Sequence, residues 1–176
     1  QLLEWNVNML NLLIKQANLN GEIKDIAIEN DRIKMIDDQI NEKAESIIYA
    51  NGRIIIPGFV DCHTHLDKSM LKLISDYVDG TGPEKSELTL ARKREFTVED
   101  ITERAEFLIK RAIKSGTIAL RTNVDVDASV GLKGIQALIK LREKYKDKIT
   151  IQIAAFAQEG VFFDGQTQEL LEEAIK

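Results

Sequence analysis

Apolar positions recur in two different rhythms along this chain. From Leu10 to Ile56 they form short runs separated by turn pairs. LNLLIKQANL and IKDIAIEN flank Asn20-Gly21, DRIKMID follows Asn30-Asp31, and Asn51-Gly52 leads into RIIIPGFVD. Asn and Gly tolerate the positive φ that a tight hairpin requires, and β-branched Ile dominates the runs between the turns. This part predicts a small antiparallel sheet or half-sandwich. Residues 1–8 (QLLEWNVN) precede the pattern and read either as an upstream extension or as an amphipathic first turn packing Trp5.

The rhythm then lengthens. IIIPGFVDC is an almost wholly apolar run, as expected of a strand buried on both faces of a parallel sheet. Leu73 to Glu95 is mixed and charged, contains DGTGPEKSE, and reads as a long loop with a single helical turn. Thr97 with Asp100 resembles a capping box, with Asp in place of Glu or Gln. It opens a helix whose apolar stripe is Ile101, Ala105, Leu108, Ile109, Ala112 and Ile113, and Gly116 stops that helix. TIALRTNVDVD follows as a strand, Val130 to Tyr145 as a helix, TIQIAAFAQEG as a strand, and Thr167 to Lys176 as the start of another helix.

Alternating strands and helices imply a parallel sheet with helices outside it. The expected fold class is therefore α/β. An N-terminal β-sandwich portion (9–56) is followed by the first three βα units (57–176) of a TIM-type (β/α)8 barrel, incomplete as given. A closed barrel takes eight such units and roughly 250 residues. The last helix ends without Gly or Asn, which reads as truncation.

Composition narrows the function classes. The 176 residues carry 24 Lys and Arg against 29 Asp and Glu, a net charge of −5. Such a balance argues against nucleic acid as a partner, since phosphate binding needs clustered cations in excess. No apolar run approaches the ~20 residues that span a bilayer, so no membrane partner is expected. Cys62 is the one cysteine and cannot form an internal disulfide, which makes a reducing, cytoplasmic setting the default.

Both histidines of the chain lie in one motif, His63-Thr64-His65, at the end of the strand IIIPGFVDC. Residues i and i+2 of a strand point to the same face, so two imidazoles converge where α/β proteins place their ligand sites. Neutral imidazole suits Zn, Fe and similar ions. A hydrogen-bonded histidine pair at a strand end is the competing reading; the preceding Pro57-Gly58 and following Leu66-Asp67 favour the metal.

IIIPGFVDCHTHLDK resembles the first barrel strand of the amidohydrolase superfamily, and the nearest branch is that of the cytosine deaminases. HTHLDK (63–68), LRTNVDVD (120–127) and QIAAFAQEG (152–160) carry the resemblance, which runs from about Leu10 to Lys176. It implies that His63 and His65 are ligands of a divalent metal, Zn or Fe. It also implies that Gln158 binds the ring of a small-molecule substrate through its amide. The implied reaction is hydrolytic deamination of cytosine, or of an amino-triazine or other cyclic amidine, by a metal-activated water. The remaining metal ligands and the catalytic acid and base are then expected downstream of Lys176. Two departures bear on substrate choice: Asn123 stands where the family usually has His, and Ala157 where it has Pro.

Other polar residues read structurally. Arg121, Asp125 and Asp127 are expected mainly to form ion pairs at the barrel mouth. Asp67 and Lys68 are expected to pair locally or, as the alternative, to line the pocket, and Cys62 to face away from it. The alternative to an enzyme is an inactive fragment or split subunit. Its exposed sheet edges and apolar face would drive homo-oligomerisation or recruitment of a missing C-terminal portion.

Overall fold

A computed structural model describes residues 9–71, 82–162 and 164–176. The extension reading of residues 1–8 and the part of the expected loop at 72–81 lie outside the described residues. The chain divides into two compact units between Pro57 and Gly58.

The first unit is a four-stranded sheet of order β3-β2-β1-β4. Its strands are β1 (Leu10–Leu19), β2 (Glu22–Glu29), β3 (Arg32–Asp37) and β4 (Ala44–Tyr49). Asn20-Gly21 and Asn30-Asp31 turn the two hairpins with positive φ at both central positions, the geometry that matches strand twist. The sheet is mixed, not purely antiparallel as expected, because β4 runs parallel to β1. Its return path is tied down by Asp25, a buried carboxylate that accepts the Ile40 N–H at 3.1 Å and the Gln16 N–H at 2.9 Å. Ile40 itself joins Leu10, Leu13 and Ala27 in the core. A carboxylate solvating a crossover segment leaves no trace in apolar periodicity.

The second unit holds a parallel sheet of order β5-β6-β7: β5 (Phe59–Thr64), β6 (Thr117–Asp125) and β7 (Thr150–Phe156). Four helices accompany it among the described residues: α1 (Gly82–Lys93), α2 (Val98–Lys114), α3 (Lys133–Tyr145) and α4 (Thr167–Ala174). Leu120, Val124 and Ile151 bury one sheet face against Ala105 and Ile109 of α2 and Leu138 and Leu141 of α3. Thr97 Oγ1 caps α2 by accepting the Asp100 N–H at 3.1 Å. The box is only half built, since the Asp100 carboxylate turns to Arg104 instead. Gly116 ends the helix at φ +88°.

Two expectations change here. The stretch read as a loop contains the 12-residue helix α1, in which Pro83 occupies the first turn, where a missing N–H costs nothing. And β5 is not buried on both faces: Phe59 is 56% and Val60 60% exposed. The apolar run is divided, with Ile54 bridging Asn18 in the first unit. In the second unit β5 pairs only with β6 among the described residues.

Gly134 opens α3 directly over β6; a Cβ there would lie 2.6 Å from Val124 Cγ1. Gly134→Ala should lower stability by about 1–3 kcal/mol through overpacking. Gly165→Ala, whose Cβ meets nothing, should stay within about 0.5 kcal/mol in the same urea titration. On the outer surface Glu106 of α2 accepts from Lys144 Nζ at 2.7 Å and Tyr145 Oη at 2.6 Å of α3, and pairs with Lys110. These donors pull its carboxyl down to about 2. The depressed value means that its contribution is complete above the ordinary carboxylate range and is lost as pH falls toward 2. Glu106→Gln should therefore cost about 1 kcal/mol at pH 7, with the gap to the parent closing between pH 4.5 and 2.

Candidate active site

His63 and His65 stand at the C-terminal end of β5, their ring centroids 5.3 Å apart and edge to face. The ladder places Thr64 beside Thr122, which is fully buried. The flanking histidines therefore project to the opposite side of the sheet from Thr64. His65 lies edge to face with Phe156 at the end of β7, 6.1 Å between centroids. Its Nδ1 is buried without a hydrogen-bond partner among the described residues. Burial first, then the Lys68 ammonium, holds the imidazole below its ordinary value.

Beside the histidines lies a charged cluster. Lys68 Nζ donates to Asp125 Oδ1 at 2.9 Å, to Asp125 Oδ2 at 3.2 Å and to Gln158 Oε1 at 3.1 Å. Lys93, the last residue of α1, is only 1% exposed and pairs with Asp125 at 3.0 Å and Asp127 at 2.5 Å. Glu159 stands 3.5 Å from the same ammonium. Burial alone would lower the Lys93 pKa, but the hydrogen bond to Asp127 and the Asp125 charge outweigh it and raise it. Asp127 Oδ1 also accepts the Ser129 and Val130 N–H groups, shaping the turn that leads to α3. A cavity of about 300 Å³ opens among Lys68, Thr89, Lys93, Asp125, Gln158 and Glu159.

The turn after the histidines is strapped to α2. Arg104, buried beneath Phe96, donates from Nη1 to the carbonyls of Asp67 (2.9 Å) and Ser69 (2.7 Å). Its Nε and Nη2 fork onto Asp100. Asp67 Oδ2 accepts the Asp125 N–H at 2.9 Å while its Oδ1 is buried without a partner. Burial, reinforced by the Asp125 charge, pushes the Asp67 carboxyl up to about 6.

The structure thus brings Gln158 to Lys68 and Asp125, and His63 to His65. Asp125 and Asp127 form the ion pairs expected of them. Arg121 does not: it enters no ion pair among the described residues and lines a separate cavity with Asp61 and exposed Cys62. Asp67 and Lys68 form no ion pair with each other among the described residues: each reaches across to Asp125, and Lys68 takes the other expected place, on the cavity lining. Lys93 escaped notice because it lies in the charged stretch read as a loop. Its one signal was an alternation of Leu88, Leu90 and Ala91 before it, too short to show a helix face. Among the described residues no group of three or more His, Cys, Asp or Glu could hold a metal ion.

The chain and its fold are similar to known proteins. The chain is 32% identical over 174 residues to N-isopropylammelide isopropyl amidohydrolase of Pseudomonas sp. strain ADP, covering 93% of this chain and 42% of that one. It superposes on the isopropylaminohydrolase of the same name from Burkholderia multivorans with a TM-score of 0.82 at 30% identity, over 95% of this chain and 43% of that one. These relatives and structural neighbours are amidohydrolase-superfamily deaminases, matched over their N-terminal portion. A 5-methylcytosine deaminase from Klebsiella pneumoniae, liganded with 5-fluorocytosine, matches with a TM-score of 0.80 at 30% identity, over 93% and 40% of the two chains. No protein-family model matches. The chain spans about two fifths of the length of these amidohydrolase relatives, and it corresponds to their N-terminal portion. The parallel βα units are accordingly the opening units of an amidohydrolase barrel. No helix among the described residues is long and apolar enough to cross a membrane.

Lys93→Met should cost about 3–5 kcal/mol at pH 7, because it leaves Asp125 and Asp127 buried with less compensating charge. Urea titrations of the parent and the variant at pH 7 check this.

Proposed function

We propose that this chain supplies the first metal ligands and a ring-binding residue of a hydrolase that deaminates cytosine or a related amino-substituted heterocycle, such as an amino-triazine. The supporting observation is the His63–His65 pair, in which the buried Nδ1 of His65 has no hydrogen-bond partner among the described residues. A buried polar atom without a hydrogen bond is costly, and a ligand bond to an ion is one way to satisfy it. Two imidazoles are donors suited to Zn or Fe. They fit part of a catalytic site, which ordinarily has three protein ligands and an open position. Bound there, a divalent ion supplies Lewis acidity and activates water for attack on a C–N carbon.

The chain's own residues then bind and orient the ring. Gln158 offers an amide to the heterocycle edge, and Lys68 and Asp125 hold that amide in place. The ring of Phe156 packs beside His65 and shields one side of it from water. The similarity to an ammelide hydrolase and a methylcytosine deaminase supports a small, oxo- and amino-bearing ring as the substrate class.

Exposed Phe59, Val60 and Ile118 favour a second reading for the isolated 176-residue chain, as an inactive piece that self-associates. Metal analysis and an ammonia-release assay separate the two. The complete polypeptide should hold stoichiometric Zn or Fe and deaminate cytosine or an amino-triazine. His63→Ala and His65→Ala should each lower metal content and turnover by roughly 100-fold or more. The isolated chain should bind metal weakly, turn nothing over and sediment as oligomers. Undiminished turnover in both histidine variants would refute the proposed site.

A further inference from the structure

We propose that Lys68 determines which ring edge the pocket accepts. By holding Gln158 Oε1 it leaves the amide Nε2 as the group offered to a ligand, which selects rings presenting a hydrogen-bond acceptor there. This inference rests on the reading of Gln158 as a ring-binding residue.

The argument starts from donor and acceptor chemistry. A side-chain amide is two-faced: a half-turn about its last bond exchanges oxygen and nitrogen, so a free glutamine can meet either a carbonyl or an amine. An ammonium has donors only. Gln158 lies 3.1 Å from Lys68 Nζ, and only its oxygen can make that contact favourable. The Nε2 group makes no hydrogen bond among the described residues, and Gln158 is exposed on the lining of the cavity. Its two N–H donors remain for a ligand.

Lys68 can impose this orientation because it is itself fixed. Its ammonium sits against both oxygens of Asp125, which is 2% exposed. Asp125 cannot turn away, since Lys93 engages the same carboxylate from α1 and Asp67 accepts its N–H. A run of charge-assisted contacts therefore leads from buried Lys93 through Asp125 and Lys68 to the exposed amide. A ring that points an N–H donor at Nε2 would strand donors on both sides, a mismatch that sites built on polar contacts reject strongly.

The test uses the complete polypeptide and two rings of equal size, 2-oxopyrimidine and 2-aminopyrimidine, with affinities read by competition or calorimetry. The parent should prefer the oxo ring by at least about tenfold. Lys68→Met should bind both rings with the preference reduced to about threefold or less. Lys68→Gln, which can still bond to Asp125 and so protects against a folding defect, should behave the same way. Lys68→Arg keeps a donor-only group and should restore the preference, an effect a purely structural role would not produce. If Lys68→Met and Lys68→Gln keep the parent's preference while Gln158→Met abolishes it, Gln158 reads the ring without Lys68 and the inference is overturned. If Gln158→Met changes neither affinity, the ring-binding reading of Gln158 itself fails, and this inference with it.

Discussion

Taking the Asp125 carboxylate out of water costs several kcal/mol unless cations and donors replace the solvent, and in this chain they do. Lys68 comes from the turn after β5, Lys93 from the end of α1, and the Asp125 N–H is itself held by Asp67. Asp127 and Glu159 extend the cluster along the ends of β6 and β7. The β6–β7 ladder reaches this level, pairing Asp125 with Phe156, but among the described residues it includes neither the turn after β5 nor the end of α1. Their mutual placement is therefore an electrostatic matter, and a buried one, where salt screens little. The histidines and Gln158 are carried on the same segments, so the geometry of the polar end follows from how these charges are neutralised.

The opposite side of the same sheet obeys a different rule. Leu120, Val124 and Ile151 alternate with polar neighbours, and the helices cover them with Ile109, Leu138 and Leu141. That half of the fold was legible in the sequence because burial of alternate residues leaves a periodic record. The Asn-Gly turns were legible for a related reason: few residues tolerate positive φ, and Asn20, Gly21 and Asn30 are among them. Thr97 was legible as a cap, and His63 and His65 as residues sharing a face.

What escaped was held by single polar contacts. The parallel pairing of β4 depends on Asp25 reaching Ile40, a contact between residues far apart in sequence with no pattern of its own. Helix α1 was hidden because its end is anchored by a buried lysine, and a lysine in a charged stretch reads as solvated surface. Arg121 was misjudged for the converse reason: a charged residue near two aspartates suggests a pair, but Arg121 sits four residues before Asp125 on the same face of β6, too far along the strand to meet it, and lines a cavity with Asp61 and Cys62 instead. The HTHLDK and AFAQEG motifs pointed to the candidate site, while the partner of each charge became visible only in three dimensions.

The Arg104 strap carries an evolutionary consequence. Its guanidinium grips the main-chain carbonyls of Asp67 and Ser69, on either side of position 68, and asks nothing of the side chain between them. A loop fastened by its backbone can exchange the residue at its centre without losing its path. A change at position 68 can therefore keep the path of the loop, while it leaves Asp125 to Lys93 for its compensating charge. One codon change there would alter the charge at the cavity wall without unfastening the turn that bears it.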